Sequence, residues 1–166
     1  MMEVASDPLG QVDILCITAH PDDLEISMAG TVLGQIALGH SVGAVELTAG
    51  ELGTRGTPEI RAQEAEAARK VLQVRFRYQL GLRDGFVHSD EDSLMRVVTA
   101  VRRHRPRLLL TTAVRDRHPD HGHASSLVSD ACFLSGLRRI RTVVDGHDQD
   151  AWRPTTVLHA IQDRWV

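Results

Sequence analysis

The stretch "VDILCITAHPDDLEISMAG", Val12 to Gly30, holds two different periodicities. Val12 to Ala19 is a mainly apolar run, with Asp13 and Thr18 its polar members, and has the length of a buried β-strand. Beyond His20-Pro21-Asp22-Asp23 the pattern changes, and Leu24, Met28, Val32 and Ile36 recur every four residues, on one face of a predicted helix. A strand that enters a helix through a short polar turn is the first half of a β-α-β unit. That turn carries one histidine and two adjacent carboxylates.

The alternation continues along the chain. Ser41 to Thr48 reads as a second strand, and "GELGTRGT", Gly50 to Thr57, as a glycine-rich loop. Thr57 as N-cap, Pro58 at the first helical position and Glu59 in the first turn predict a helix to about Leu72. A third strand, Phe76 to Leu80, leads through the loop Gly81 to His88 to a helix that starts near Ser89, Asp90 and Asp92. Leu94, Val97, Val98 and Val101 form its apolar face, and it must stop before Pro106. Arg107 to Ala113 is a fourth strand, followed by a helix from about Asp120 to Ser135 with Gly136 as its stop. The polar stretch Asp145 to Pro154 is expected to be a mobile loop before a fifth strand, Thr155 to Ile161.

Strands alternating with helices require crossover connections. The expected fold is therefore α/β, Rossmann-like and doubly wound, with a mostly parallel sheet, helices on both faces and a single domain over residues 1–166. Such sheets bind ligands beyond the carboxyl ends of the strands where the strand order reverses. The strand order 3-2-1-4-5 would put that reversal between the first and fourth strands.

The segment after the fourth strand is "RDRHPDHGHAS", Arg115 to Ser125. It repeats His-Pro-Asp, so two such turns, at His20 and His118, should meet. A catalytic zinc site takes three protein ligands at roughly 2 Å and leaves a fourth position open. His20, Asp23 and His121 can supply them, which leaves Asp22 and His118 for proton chemistry. Either cluster alone would read as a helix start with an Asp cap. The remaining histidines, His40, His88, His104, His147 and His159, are expected on the surface or in loops, and His123 without a metal role. "RRHRPR", Arg102 to Arg107, reads as favourable charge at a helix C-terminus.

A net charge of −3 argues against a general nucleic-acid binder and for a small-molecule partner. The first apolar run follows Glu3 and Asp7 and contains Asp13, so neither a signal peptide nor a membrane span is expected, and the location is expected to be cytoplasmic. Cys16 and Cys132 read as buried, reduced thiols.

"AHPDDLEISMAGT", Ala19 to Thr31, together with "RHPDHGHAS", Arg117 to Ser125, resembles the PIG-L/LmbE-like family of zinc-dependent N-deacetylases acting on N-acetylglucosamine conjugates. "GTPEIRAQEA", Gly56 to Ala65, and "LGLRDG", Leu80 to Gly85, look closest to its bacillithiol-pathway branch, which deacetylates N-acetylglucosaminyl-malate. The resemblance implies Zn2+ on His20, Asp23 and His121, Asp22 as general base, and His118 as an electrostatic or acid partner oriented by Asp120. It further implies that Arg61 binds substrate and that the protein assembles as a homo-oligomer, a trimer or a hexamer. Family members usually continue past this chain's last residues, "IQDRWV", so the chain is expected to lack the family's C-terminal portion and to turn over substrate poorly.

The chemistry is consistent with that likeness. Hydrolysing an unstrained amide needs a nucleophile stronger than water, and zinc lowers the pKa of a bound water to about 7. Asp22 would take that water's proton, and His118, as an imidazolium aimed by Asp120, would stabilise the oxyanion. Either Asp22 or His118 could protonate the departing amine. Arg61 could clamp a substrate carboxylate, or sit exposed and paired with Glu64. Asp84 could accept sugar hydroxyls, or merely form a turn. The alternative readings are a non-catalytic zinc-containing sugar-binding or assembly protein of the same fold, and a nucleotide-binding Rossmann protein. The latter would need G-x-G-x-x-G after the first strand, where this chain has A-H-P-D-D.

Overall fold

The computed structural model describes residues 10–161; Glu3, Asp7 and the last five residues, 162–166, lie outside them. In chain order the first elements are β1 (Ile14–Thr18), α1 (Asp23–Ser27), α2 (Ala29–Ala37), β2 (Val42–Thr48), α3 (Pro58–Leu72) and β3 (Arg77–Leu82). They are followed by α4 (Glu91–His104), β4 (Leu108–Thr111), α5 (Pro119–Ser135), β5 (Val143–Val144), β6 (His147–Asp148) and β7 (Thr156–His159). Five strands form a parallel sheet in the order β3-β2-β1-β4-β7, the expected order with β7 as the fifth strand.

All five residues of β1 and all seven of β2 are buried, because helices cover both faces of the sheet. Leu15, Ile17, Val45, Leu47 and Leu109 pack with Val97, Val101, Leu127 and Val128 of α4 and α5. The alternate residues Ile14, Cys16, Val42, Ala44 and Leu110 pack with Leu24, Met28, Val32 and Leu72 of α1 to α3. The helix ends follow their caps. Thr57 accepts from the Ile60 N–H and Asp90 from the Ser93 N–H.

Four expectations change. The first helix is two, broken at Met28 (φ −131°), while Leu24, Met28 and Val32 keep their common buried face. Asp145 to Pro154 is not an open loop. It contains the β5–β6 turn, and Trp152 donates from its indole N–H to the Pro106 carbonyl and from its backbone N–H to the Ser135 carbonyl. Pro106 precedes β4, so this segment is tied to the end of the sheet opposite the carboxyl ends.

His104, expected at the surface, is fully buried; it stacks on Phe76 at 4.1 Å and bonds the Tyr78 hydroxyl at 2.8 Å. Arg102 is buried too. It donates to the carbonyls of Ser135, Leu137 and Ile140, closing the C-terminus of α5. Cys16 and Cys132 are buried free thiols, as expected. No helix among the described residues is long and apolar enough to cross a membrane.

Gly43 in β2 lies under the Phe76 ring, where an added Cβ would stand 2.2 Å from Cζ. Gly43→Ala is expected to destabilise by about 1–3 kcal/mol through overpacking. The readout is a lower urea midpoint at an unchanged m-value. An unshifted midpoint would contradict this packing.

Candidate active site

β1 and β4 are adjacent and in register from Ile14↔Leu108 to Ile17↔Thr111. The turns that leave their carboxyl ends therefore meet. The His20 and His118 ring centroids stand 4.6 Å apart and those of His118 and His121 5.0 Å. These residues, with Asp22, Asp23, Arg61, Asp84 and Asp116, line a cavity of about 450 Å³.

Asp23 links the two turns. Its Oδ2 accepts the His20 backbone N–H at 2.8 Å and lies 3.5 Å from His20 Nδ1, while its Oδ1 lies 3.1 Å from His121 Nε2. The three residues expected as metal ligands thus converge. The ring nitrogens of His20, His118 and His121 also come within 4.8 Å of one another, as do donor atoms of His20, Asp84 and Asp120.

Two carboxylates stand elsewhere than expected. The Asp120 side chain was expected to orient His118, but it bonds His20 Nε2 (3.3 Å) and the backbone N–H groups of Gly85 (2.7 Å) and Val87 (3.3 Å). It is the Asp120 backbone N–H that meets His118 Nδ1, because His118 caps α5. Asp84 was expected to accept sugar hydroxyls, yet it is buried. Its Oδ1 lies 3.1 Å from His20 Nε2 and its Oδ2 accepts the Leu52 N–H at 2.8 Å.

Asp116 escaped the sequence reading. Its Oδ2 lies 2.6 Å from His121 Nδ1, which leaves Nε2 of that ring facing Asp23. The only signal was one more acidic residue in "RDRHPDH", indistinguishable from loop charge.

Arg61 does not pair with Glu64. Its Nη2 reaches Asp22 Oδ1 at 3.2 Å, inside the cavity. The glycine-rich loop makes room for it: a Cβ on Gly53 would stand 2.7 Å from Arg61 Nη1, and one on Gly50 2.9 Å from Cζ.

Burial alone would lower the His121 pKa, but Asp23 and Asp116 outweigh it and push it up to about 9. His20 is likewise raised by Asp23 and Asp84 against the effect of burial. Asp23, although buried, is held well below the usual carboxylate range by His121 and His20. His118 moves the other way, lowered by burial and by its neighbours His20 and His121.

The donor set suits a divalent cation. Asp23, Asp84 and Asp120 are 7%, 5% and 0% exposed, and all three lie within 3.5 Å of one imidazole, His20. With Asp116, which lies 2.6 Å from His121 Nδ1, four carboxylates surround the two rings, the hard-oxygen and imidazole donor types that divalent metals take.

The family profile described as PIG-L, GlcNAc-PI de-N-acetylase, matches residues 15–132, which include every residue lining the cavity. The chain belongs to the PIG-L family. Diacetylchitobiose deacetylase of Thermococcus kodakarensis is 29% identical over 143 residues, covering 80% of this chain and 54% of that relative. The chain therefore spans about half the length of this curated relative. The conserved protein TT1542 from Thermus thermophilus shares this PIG-L fold with a TM-score of 0.86 and 34% identity, over 94% of this chain and 69% of that one. N,N'-diacetylchitobiose deacetylase from Pyrococcus horikoshii, solved with an inhibitor, shares the fold at 22% identity and a TM-score of 0.76, over 89% and 59%.

The raised His121 pKa has a consequence for this PIG-L protein without metal. A ring titrating at 6.5 when unfolded and about 9 when folded contributes its full stability below pH 6.5 and loses it as pH rises through about 9. If His121 holds zinc it must do so as the unprotonated ring, and zinc affinity would then rise over the same interval. The Tm of the metal-free protein is expected to fall between these pH values while the increase caused by added zinc grows. A zinc-induced increase that shrinks with rising pH would contradict the assignment of His121.

Proposed function

We propose that the protein is a zinc-dependent hydrolase that removes the N-acetyl group from an N-acetylglucosamine conjugate, N-acetylglucosaminyl-malate of the bacillithiol pathway. The observation that carries this reading is one cavity that joins the His20–Asp23–His121 cluster, with Asp84, Asp116 and Asp120 against its rings, to an exposed carboxylate, Asp22. Similarity to a diacetylchitobiose deacetylase supports an N-acetylated sugar as the substrate class.

His20, Asp23 and His121 would hold the ion. Zinc, when bound there, supplies a Lewis acid that acidifies water and polarises an amide carbonyl. Asp22 follows His20 by two residues, is not occupied by the ligand cluster and faces the cavity beside Arg61. It is the group placed to accept the proton of the attacking water.

His118 Nδ1 is engaged by the Asp120 N–H, so its neutral ring carries the proton at Nε2 and can donate to the developing oxyanion. This replaces the imidazolium expected from sequence, since burial and two neighbouring imidazoles disfavour the charged form. The same depression favours Asp22 as the group that returns a proton to the departing amine. Arg61 and Arg117 both line the cavity and together suit a dicarboxylate aglycone such as malate.

Metal analysis and amine release from N-acetylglucosaminyl-malate and from N,N'-diacetylchitobiose test the reading on wild type and Asp22→Asn. We expect bound zinc in both proteins, preference for the malate conjugate, and a fall in kcat of about 10²–10⁴-fold in the variant. Equal turnover by Asp22→Asn would remove its role as base. Zinc with no turnover in wild type would favour a metal-holding sugar-binding protein, and a preference for diacetylchitobiose would overturn the malate assignment.

Asp116→Asn should fold with its hydrogen bond to His121 weakened. A loss of zinc affinity of about 10–100-fold in chelator competition is expected. Unchanged affinity would show that Asp116 does not set the ring.

A further inference from the structure

Arg77 lies on β3, separated from β1 by β2, and its side chain is only 3% exposed. A buried guanidinium must find acceptors for its N–H groups. Arg77 finds them on four different pieces of chain. Nε donates to Glu46 on β2, whose side chain is 2% exposed, and Nη1 donates to the Ala65 carbonyl of α3 at 3.2 Å. Nη2 donates to the Pro21 carbonyl, and the Glu25 carboxylate receives both Nη1 and Nη2.

Pro21 and Glu25 flank Asp22 and Asp23. One planar group therefore grips the chain on both sides of the two carboxylates. Its bond to Ala65 also holds α3 one turn beyond Arg61, whose Nη2 reaches Asp22 at 3.2 Å. Neutralising Glu46 would need a single arm of the guanidinium. The other arms leave the strand layer and end on the turn and on the two helices beside it.

We propose that Arg77 is a positioning residue of the site: its fork, anchored on Glu46, fixes Pro21 and Glu25 and thereby holds Asp23 toward His121 and Asp22 toward Arg61. The proposal rests on the deacetylase reading for its link to turnover. Lysine at this position keeps the charge beside Glu46 but has no planar fork to span Pro21, Glu25 and Ala65 together.

The test uses Arg77→Lys and Glu25→Gln in the full protein. Glu25→Gln leaves the Arg77–Glu46 pair intact, so a failure of Arg77→Lys to fold does not end the test. Three quantities are measured: zinc affinity by chelator competition, kcat and KM on N-acetylglucosaminyl-malate, and amide hydrogen exchange of residues 22–25 against that of β1 and β2.

Zinc affinity is expected to fall about 10–100-fold, kcat to fall with KM nearly unchanged, and exchange to quicken in the turn but not in the strands. Wild-type zinc affinity and turn exchange in a folded variant, even with a lowered Tm, would overturn the proposal and leave Arg77 a structural ion pair. Absence of zinc from the wild type would instead overturn the deacetylase reading. The exchange of the turn then decides the role of Arg77 alone.

Discussion

The site depends on one adjacency, the parallel pairing of β1 with β4. Parallel strands put their carboxyl ends on the same side of the sheet, and the reversal of strand order between these two opens a crevice there. His20, Asp22 and Asp23 leave β1 into that crevice while Asp116, His118 and His121 leave β4. An antiparallel pairing of the same strands would send the two His-Pro-Asp turns to opposite ends of the molecule. Both turns then begin helices, so each polar group sits where backbone N–H groups are also available. Asp120, in the first turn of α5, contacts His20 and accepts the loop N–H groups of Gly85 and Val87 at once.

Crowding acidic groups into this crevice works against folding. Asp23, Asp84 and Asp120 give up solvation around a single imidazole, and backbone N–H donors from Leu52, Gly85 and Val87 recover only part of that loss. The same loops that supply these donors shape the cavity. A divalent cation held by these groups would couple binding to folding at this site. Arg77 and Glu46 form a second buried charged group one layer behind. Burial pushes the Glu46 pKa up to about 7 even with Arg77 alongside.

The elements visible in the sequence were those whose signal is local. The run Val12 to Ala19, the caps Thr57 and Asp90, and the stop at Gly136 each depend on neighbours within a few positions. The pair of His-Pro-Asp turns was also legible, because the residue types and their places after strands suffice to bring them together. The functions of Asp84, Asp116 and Asp120 were not. A carboxylate in a loop looks the same whether it faces water or an imidazole, and its partners here are 64, 5 and 100 positions away. His104 and Arg102 failed for the same reason. Their polarity suggested the surface, whereas Tyr78 and the carbonyls ending α5 provide buried partners.

By itself the sequence determined the α/β alternation, the strand order, the family and the convergence of His20, Asp23 and His121, since periodicity, capping and turn chemistry act over short spans of chain. Only the tertiary structure decided which carboxylate serves which ring, that Arg61 reaches Asp22 rather than Glu64, and that Arg77 grips the turn from β3. Those choices depend on distances across the sheet and on how far each group is removed from water, and neither quantity is encoded in the order of neighbouring residues.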